Sequence, residues 1–147
     1  MGTLSLLLLI IVPLIAAAAI AVVFVRTGGR RAQARLREVP GPVLRSAGAT
    51  SLGLTSLGDS QLHGTGTLVL TDAEVCFAQW RPDRLLRIPR AAILEVDTTM
   101  THLGKTMKDD LLRIRWTGAE AGDEDTIAFF VNDVAPWVRD LGGTQSS

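Results

Sequence analysis

The chain has 147 residues, 47% of them apolar, and its 15 basic and 15 acidic side chains cancel. Both averages hide a division: residues 1–37 carry five arginines and no acid, while the remaining 110 carry ten basic and all 15 acidic side chains. That balance excludes a basic nucleic-acid-binding domain, and one Cys with two His excludes a disulfide framework or a Cys/His zinc cluster.

From Leu4 to Val25 the chain runs 22 residues without a charge, nearly all Leu, Ile, Val or Ala. As a helix this run would reach about 33 Å, enough for a hydrocarbon core of about 30 Å. Pro13 is compatible with such a helix, because freed carbonyls are re-satisfied locally. The sequence therefore predicts a transmembrane helix over 1–25. A cleaved secretory signal is the competing reading, with Ala16 to Ala19 as the cleavage region. A positive leading region is missing and the apolar run continues past the alanines, so it is set aside.

Arg26, Arg30, Arg31, Arg35 and Arg37 follow at once. The positive-inside rule places this side in the cytoplasm and the N-terminus outside, a single-pass arrangement in the cell membrane. The same arginines are candidate contacts for lipid headgroups, each worth about 1 kcal/mol near an anionic surface. Ala32, Ala34 and Leu36 permit a short helix, and Pro40-Gly41-Pro42 ends it. Residues 26–42 thus read as a basic juxtamembrane segment and linker.

Residues 43–141 read as one small domain. From Val43 to Gly64 the pattern is weak and suggests one irregular strand with a loop at Gly58-Asp59-Ser60. Gly66 to Leu70 and Ala73 to Ala78 read as a hairpin around Thr71-Asp72. Pro82-Asp83 marks a turn. Leu85 to Ile88 and Ala92 to Val96 read as short strands, and Thr98 to Asp110 as a charged loop. Leu112-Arg113-Ile114-Arg115-Trp116 alternates strictly, which predicts a half-buried strand with Leu112, Ile114 and Trp116 inward. Thr117 to Glu124 is a Gly-rich acidic turn, and Thr126 to Val131 the last strand. Val134, Trp137, Val138 and Leu141 recur at helical spacing, with Asn132 or Asp133 as the cap, Pro136 in the first turn and Gly142-Gly143 as the stop. Residues 142–147 are expected to form a disordered tail.

Gly66-Thr67-Leu68-Val69-Leu70-Thr71-Asp72, Val75, Phe77, Arg87-Ile88-Pro89 and Ile93-Leu94-Glu95-Val96 resemble the opening of bacterial pleckstrin-homology-like (PH-like) and GRAM-like domains. Leu103-Gly104-Lys105, Leu111 to Trp116 and Asp125 to Phe129 are similar to small actinobacterial-type membrane proteins with one N-terminal helix and a PH-like domain. The resemblance covers about residues 43–141. It implies a mainly-β barrel of antiparallel strands, two nearly orthogonal sheets capped by a C-terminal α-helix. It implies no activity, because this fold hosts lipid binders, peptide binders and scaffolds.

No grouping of residues points to catalysis. His63 and His102 have no nucleophile beside them, and Cys76 lies in a strand between Val75 and Phe77. Gly104-Lys105-Thr106 lacks the earlier glycine of a phosphate-binding loop, since position 99 is Thr99. Asp109-Asp110 and Asp123-Glu124-Asp125 lack calcium-loop spacing. No cofactor or metal is expected.

PH-like domains that hold inositol phospholipids carry Lys and Arg on the first two strands, and residues 46–80 here have none. A second basic surface is Arg81, Arg84, Arg87 and Arg90, joined by Arg113 and Arg115, as a contact for anionic lipid or an acidic partner. Pairing of these arginines with Asp83, Glu95 and Asp97 is the favoured alternative. The functional expectation is a non-enzymatic single-pass membrane protein whose cytoplasmic domain mediates protein interaction or scaffolding. A sensor of anionic lipid and an accessory subunit of a transport system are the other readings.

Overall fold

A computed structural model describes residues 29–118, 120 and 122–144, together with 11–13 and 15. Among the described residues, helix α1 covers 29–36. Seven strands follow: β1 (Val43–Leu54), β2 (Gly58–Thr71), β3 (Glu74–Gln79), β4 (Arg84–Pro89), β5 (Ile93–His102), β6 (Lys105–Thr117) and β7 (Glu124–Val131). A 3-10 turn, Arg90–Ala92, joins β4 to β5, and helix α2 (Ala135–Asp140) closes the described chain. All strand pairs are antiparallel, in the order β4-β3-β2-β1-β7-β6-β5. β1 therefore joins a four-strand meander to a three-strand one.

The sheet is strongly curled. Phe77 on β3 and Phe129 on β7 stand three strands apart in the order, which in a flat sheet would separate them by about 14 Å. Their ring centroids are 5.0 Å apart. Around them pack Leu68, Leu70, Val75, Ile88, Leu112, Ile114 and Ile127, and α2 inserts Trp137 and Val138 into the same core. An apolar helix face covers the open mouth of the curl, as the spacing of Val134, Trp137, Val138 and Leu141 predicts.

Local chemistry explains the turns and irregularities. The buried Thr71 hydroxyl accepts from the backbone N–H of Ala73 and Glu74 and donates to the Glu74 carbonyl, which closes the β2–β3 hairpin. Gly66 is required by close approach: a Cβ there would lie 2.3 Å from the Ala78 carbonyl oxygen and 2.8 Å from the Phe77 ring. Between the Leu52↔His63 and Leu54↔Gly58 pairs β1 advances two residues and β2 five. This irregularity, with Gly53 at φ 99°, sends Leu54 into the main core and Leu52 into a smaller outer cluster with Leu111 and Ala128.

Helix α1 lies against the outer face of the sheet. Ala32 is 1% exposed, and Arg35 reaches Asp83 in the β3–β4 turn at 3.1 Å. Leu36 and the buried Val39 face Thr67 and Val69 across a groove. With all six residues of β3 buried, this strand is covered on both sides.

Several expectations are corrected. Among the described residues no helix is long and apolar enough to cross a membrane. The eight described residues of α1 cover about 12 Å against about 30 Å of hydrocarbon and include Arg30, Arg31 and Arg35. Residues 11–13 and 15 are helical, and the rest of the segment read as a transmembrane helix over 1–25 lies outside the described residues. The expected barrel of two sheets is one curled, seven-stranded half-barrel with β4 and β5 as its edges.

Residues 43–64 form two long paired strands rather than one, and the loop expected at Gly58-Asp59-Ser60 lies within β2. Thr98 to Asp110 is strand on both sides of a two-residue turn at Leu103-Gly104, where φ is 48° and 74°. The cap of α2 is Val134, with no side-chain bond, in place of Asn132 or Asp133. Thr144 is held to β5 by its N–H on the Val96 carbonyl at 3.1 Å, while residues 145–147 lie outside the described residues.

Candidate functional site

On the outer face of the β5–β6–β7 meander, strict alternation turns Leu112, Ile114 and Trp116 into the core and Arg113 and Arg115 outward. Cross-strand register sets Arg113 opposite Asp97 and Arg115 opposite Glu95. Arg113 grips both oxygens of Asp97, with Nε at 2.7 Å. Arg115 donates to Glu95 at 3.2 and 3.1 Å and to Glu124 on β7 at 2.8 Å. With Thr126 these four residues other than Glu124 line a shallow cavity of about 160 Å³. The acids hold both guanidinium groups firmly charged: the hydrogen bonds Arg113 donates to Asp97 raise its pKa, and those Arg115 donates to Glu124 and Glu95 raise that of Arg115.

The other expected arginines lie elsewhere. Arg87 on β4 forms a two-pronged pair with Glu74 on β3, at 3.0 and 2.6 Å, which raises its pKa. Arg90 donates to the carbonyls of Thr71 and Asp140. Arg81 precedes Pro82 in the β3–β4 turn and Arg84 opens β4, and both have interaction partners. In the sheet order β4 and β6 are separated by β3, β2, β1 and β7, so hydrogen-bonded pairing does not bring the two arginine groups together. The favoured pairing is seen for Glu95 and Asp97, and Asp83 pairs with Arg35.

Of the five arginines after the apolar run, Arg30, Arg31, Arg35 and Arg37 are exposed and Arg26 lies outside the described residues. Among the described residues, Arg35 is the one of these tied to an acid, at Asp83.

The groups with catalytic potential are engaged in packing or exposed singly. His102 is buried and its Nε2 lies 2.8 Å from the Gly53 carbonyl, which can only accept, so Nε2 carries the proton. His63 is exposed. Burial, with Glu74 beside it, pushes the Cys76 thiol up to about 11. Gly104-Lys105 forms a hairpin turn, not a phosphate cradle. Among the described residues no group of three or more His, Cys, Asp and Glu side chains has the placement of a metal site.

Sequence reasoning missed three anchoring contacts. Asp125 accepts from Thr55, Ser56 and the Thr126 N–H, tying the β1–β2 turn to β7. Arg45 pairs with Asp140. Helix α1 is docked, a feature that Ala32, Leu36 and Val39 at i, i+4 and i+7 would have signalled.

No protein-family model matches the chain, and neither a curated protein nor a solved structure resembles it at a significant level.

Proposed function

We propose that the chain is a non-enzymatic protein held at the cytoplasmic face of the cell membrane, whose PH-like domain engages a protein partner. The observation that carries this reading is the neutralised charge on the sheet. Arg87, Arg113 and Arg115 are each closed by carboxylates of a neighbouring strand. An anionic headgroup would have to displace those acids, which disfavours a lipid sensor built on this face. The PH-like assignment is supported by the two meanders meeting at β1 and by the terminal helix seated in the mouth. Attachment to lipid is supported by the uncharged run from Leu4 to Val25.

Partner contact is best supported at β5, an edge strand on which Leu94 and Met100 are each 49% exposed. Photo-crosslinking residues placed at Leu94 and Met100 of the full chain in cells should yield one reproducible protein adduct, lost when the other position is changed to Glu. No protein adduct from either position, or one indifferent to the Glu change, overturns the reading.

A further inference from the structure

We propose that the outward face of helix α1, together with the exposed corner Val43-Leu44, is a surface that lies on an anionic bilayer, so that α1 is clamped between the sheet and the lipid. The inference deepens the membrane attachment proposed above and rests on it.

Three observations converge. The first is that α1 has two chemically distinct sides. At 3.6 residues per turn, Arg30, Ala34 and Arg37 fall within about 60° of one another, on the side opposite Ala32 and Leu36. Ala32 is buried and Leu36 half-buried, whereas Arg30, Ala34 and Arg37 are exposed. The helix therefore presents a basic back while its apolar front is used by the domain.

The second is apolar exposure at the same place. Val43 and Leu44 are 58% and 54% exposed, and Val43 lines the groove of about 320 Å³ to which Leu36, Arg37 and Val39 also contribute. Arginine beside exposed aliphatic side chains suits the headgroup boundary, where the charge meets phosphate and the aliphatic groups enter the upper acyl region. It contrasts with the sheet face, whose arginines are held by acids.

The third is connectivity. The apolar run ends at Val25, four residues before the described start of α1 at residue 29. If that run is in lipid, residue 29 lies within about 14 Å of it, the most that four residues of chain can span. Ala32 and the Arg35–Asp83 pair then fix the domain relative to α1. Approach to the bilayer is thereby restricted to one face.

The test uses full-length chain with single cysteines carrying an environment-sensitive fluorophore. Native Cys76 is fully buried, so labelling is selective for the introduced thiol. Ala34→Cys and Val43→Cys report on the proposed surface, and Leu57→Cys, exposed at the β1–β2 turn, is the control. Chain is incorporated into phosphatidylcholine vesicles with or without phosphatidylglycerol and recovered by flotation. In the vesicles containing phosphatidylglycerol, blue-shifted, quencher-protected emission is expected at 34 and 43 and not at 57. Arg30→Gln and Arg37→Gln should each reduce the protected population about fivefold.

Chain that fails to float removes both the attachment and this inference. Chain that floats with no shift at 34 and 43, or with an equal shift at 57, overturns the inference alone. A shift indifferent to phosphatidylglycerol and to both arginine changes also overturns it, as does protection that appears only when an acidic protein is added.

Discussion

Arg45 on the first strand and Asp140 at the end of the last helix meet through a hydrogen bond of 2.8 Å and an ion-pair contact of 2.7 Å, although 95 residues separate them. The hydrogen bond and charge of Arg45 hold the Asp140 carboxyl below its ordinary range. Arg90 adds a bond to the Asp140 carbonyl at 3.0 Å. The six-residue α2 is far too short to be stable alone, so its position depends on this clamp and on the burial of Trp137 and Val138. Burial is the larger contribution. Trp137→Ala should destabilise the domain by about 3–5 kcal/mol, and Arg45→Ala, which breaks a half-exposed pair, by much less. Urea unfolding of the two variants checks the ranking, and an Arg45 effect equal to that of Trp137 would contradict it.

Asp125 should confer acid sensitivity. Its partial burial favours the neutral form, but bonds from Ser56, Thr55 and Thr126 outweigh this and lower its pKa. A carboxylate depressed in the folded state stabilises above its unfolded value of about 3.9 and loses that contribution as pH falls through the folded value. Asp125→Asn should therefore lower the urea midpoint at pH 7 and reduce the midpoint's decline below pH 4. Parallel pH profiles for the variant and the parent chain would show that Asp125 is not the titrating group.

Two glycines at opposite extremes of crowding give a steric test. At Gly66 a methyl group would meet the Ala78 carbonyl at 2.3 Å, while at Gly48 nothing lies within 4 Å. Gly66→Ala should cost about 3 kcal/mol through forced displacement of the β2–β3 pair. Gly48→Ala, in the same sheet, should be neutral or stabilise by about 0.5 kcal/mol. Thermal unfolding of both separates a packing effect from a general aversion of these strands to side chains.

What the sequence displayed follows from which faces are buried. The core of β6 and β7 could be read because Leu112, Ile114 and Trp116 alternate with solvated arginines, and α2 because one stripe is apolar. The hairpin from Thr98 to Asp110 concealed itself: Thr101, Lys105, Thr106, Lys108, Asp109 and Asp110 are exposed, so no inward row marks the strands. Its turn uses Leu103 at positive φ, where Asn or Asp is the usual signal. β1 and the start of β2 were obscured by the small and polar residues of 43–64, which show no clear alternation. Of the candidate site, the alternation revealed which arginines face outward. Glu95 and Asp97 could be named as acid partners from the sequence, but which arginine each meets depended on cross-strand register, which shifts between Ile93 and Glu95 and between Thr99 and Thr101.

Cys76 offers the last test, of the docking of α1. It lies on β3 between the core residues Val75 and Phe77, facing the opposite side of the strand, yet it is completely inaccessible. Burial pushes its thiol up to about 11, so at pH 8 the thiolate is a minor species and the native chain should resist a thiol-specific reagent. Ala32→Asp would introduce a charge where α1 meets the domain. That change should expose the outer face of β3 and accelerate modification of Cys76 by at least about tenfold, as local opening there becomes easier. Circular dichroism of the same variant should retain the sheet signal, because the curled core on the other face is untouched. Unchanged reactivity in Ala32→Asp would mean that the strands themselves, and not α1, seal the thiol.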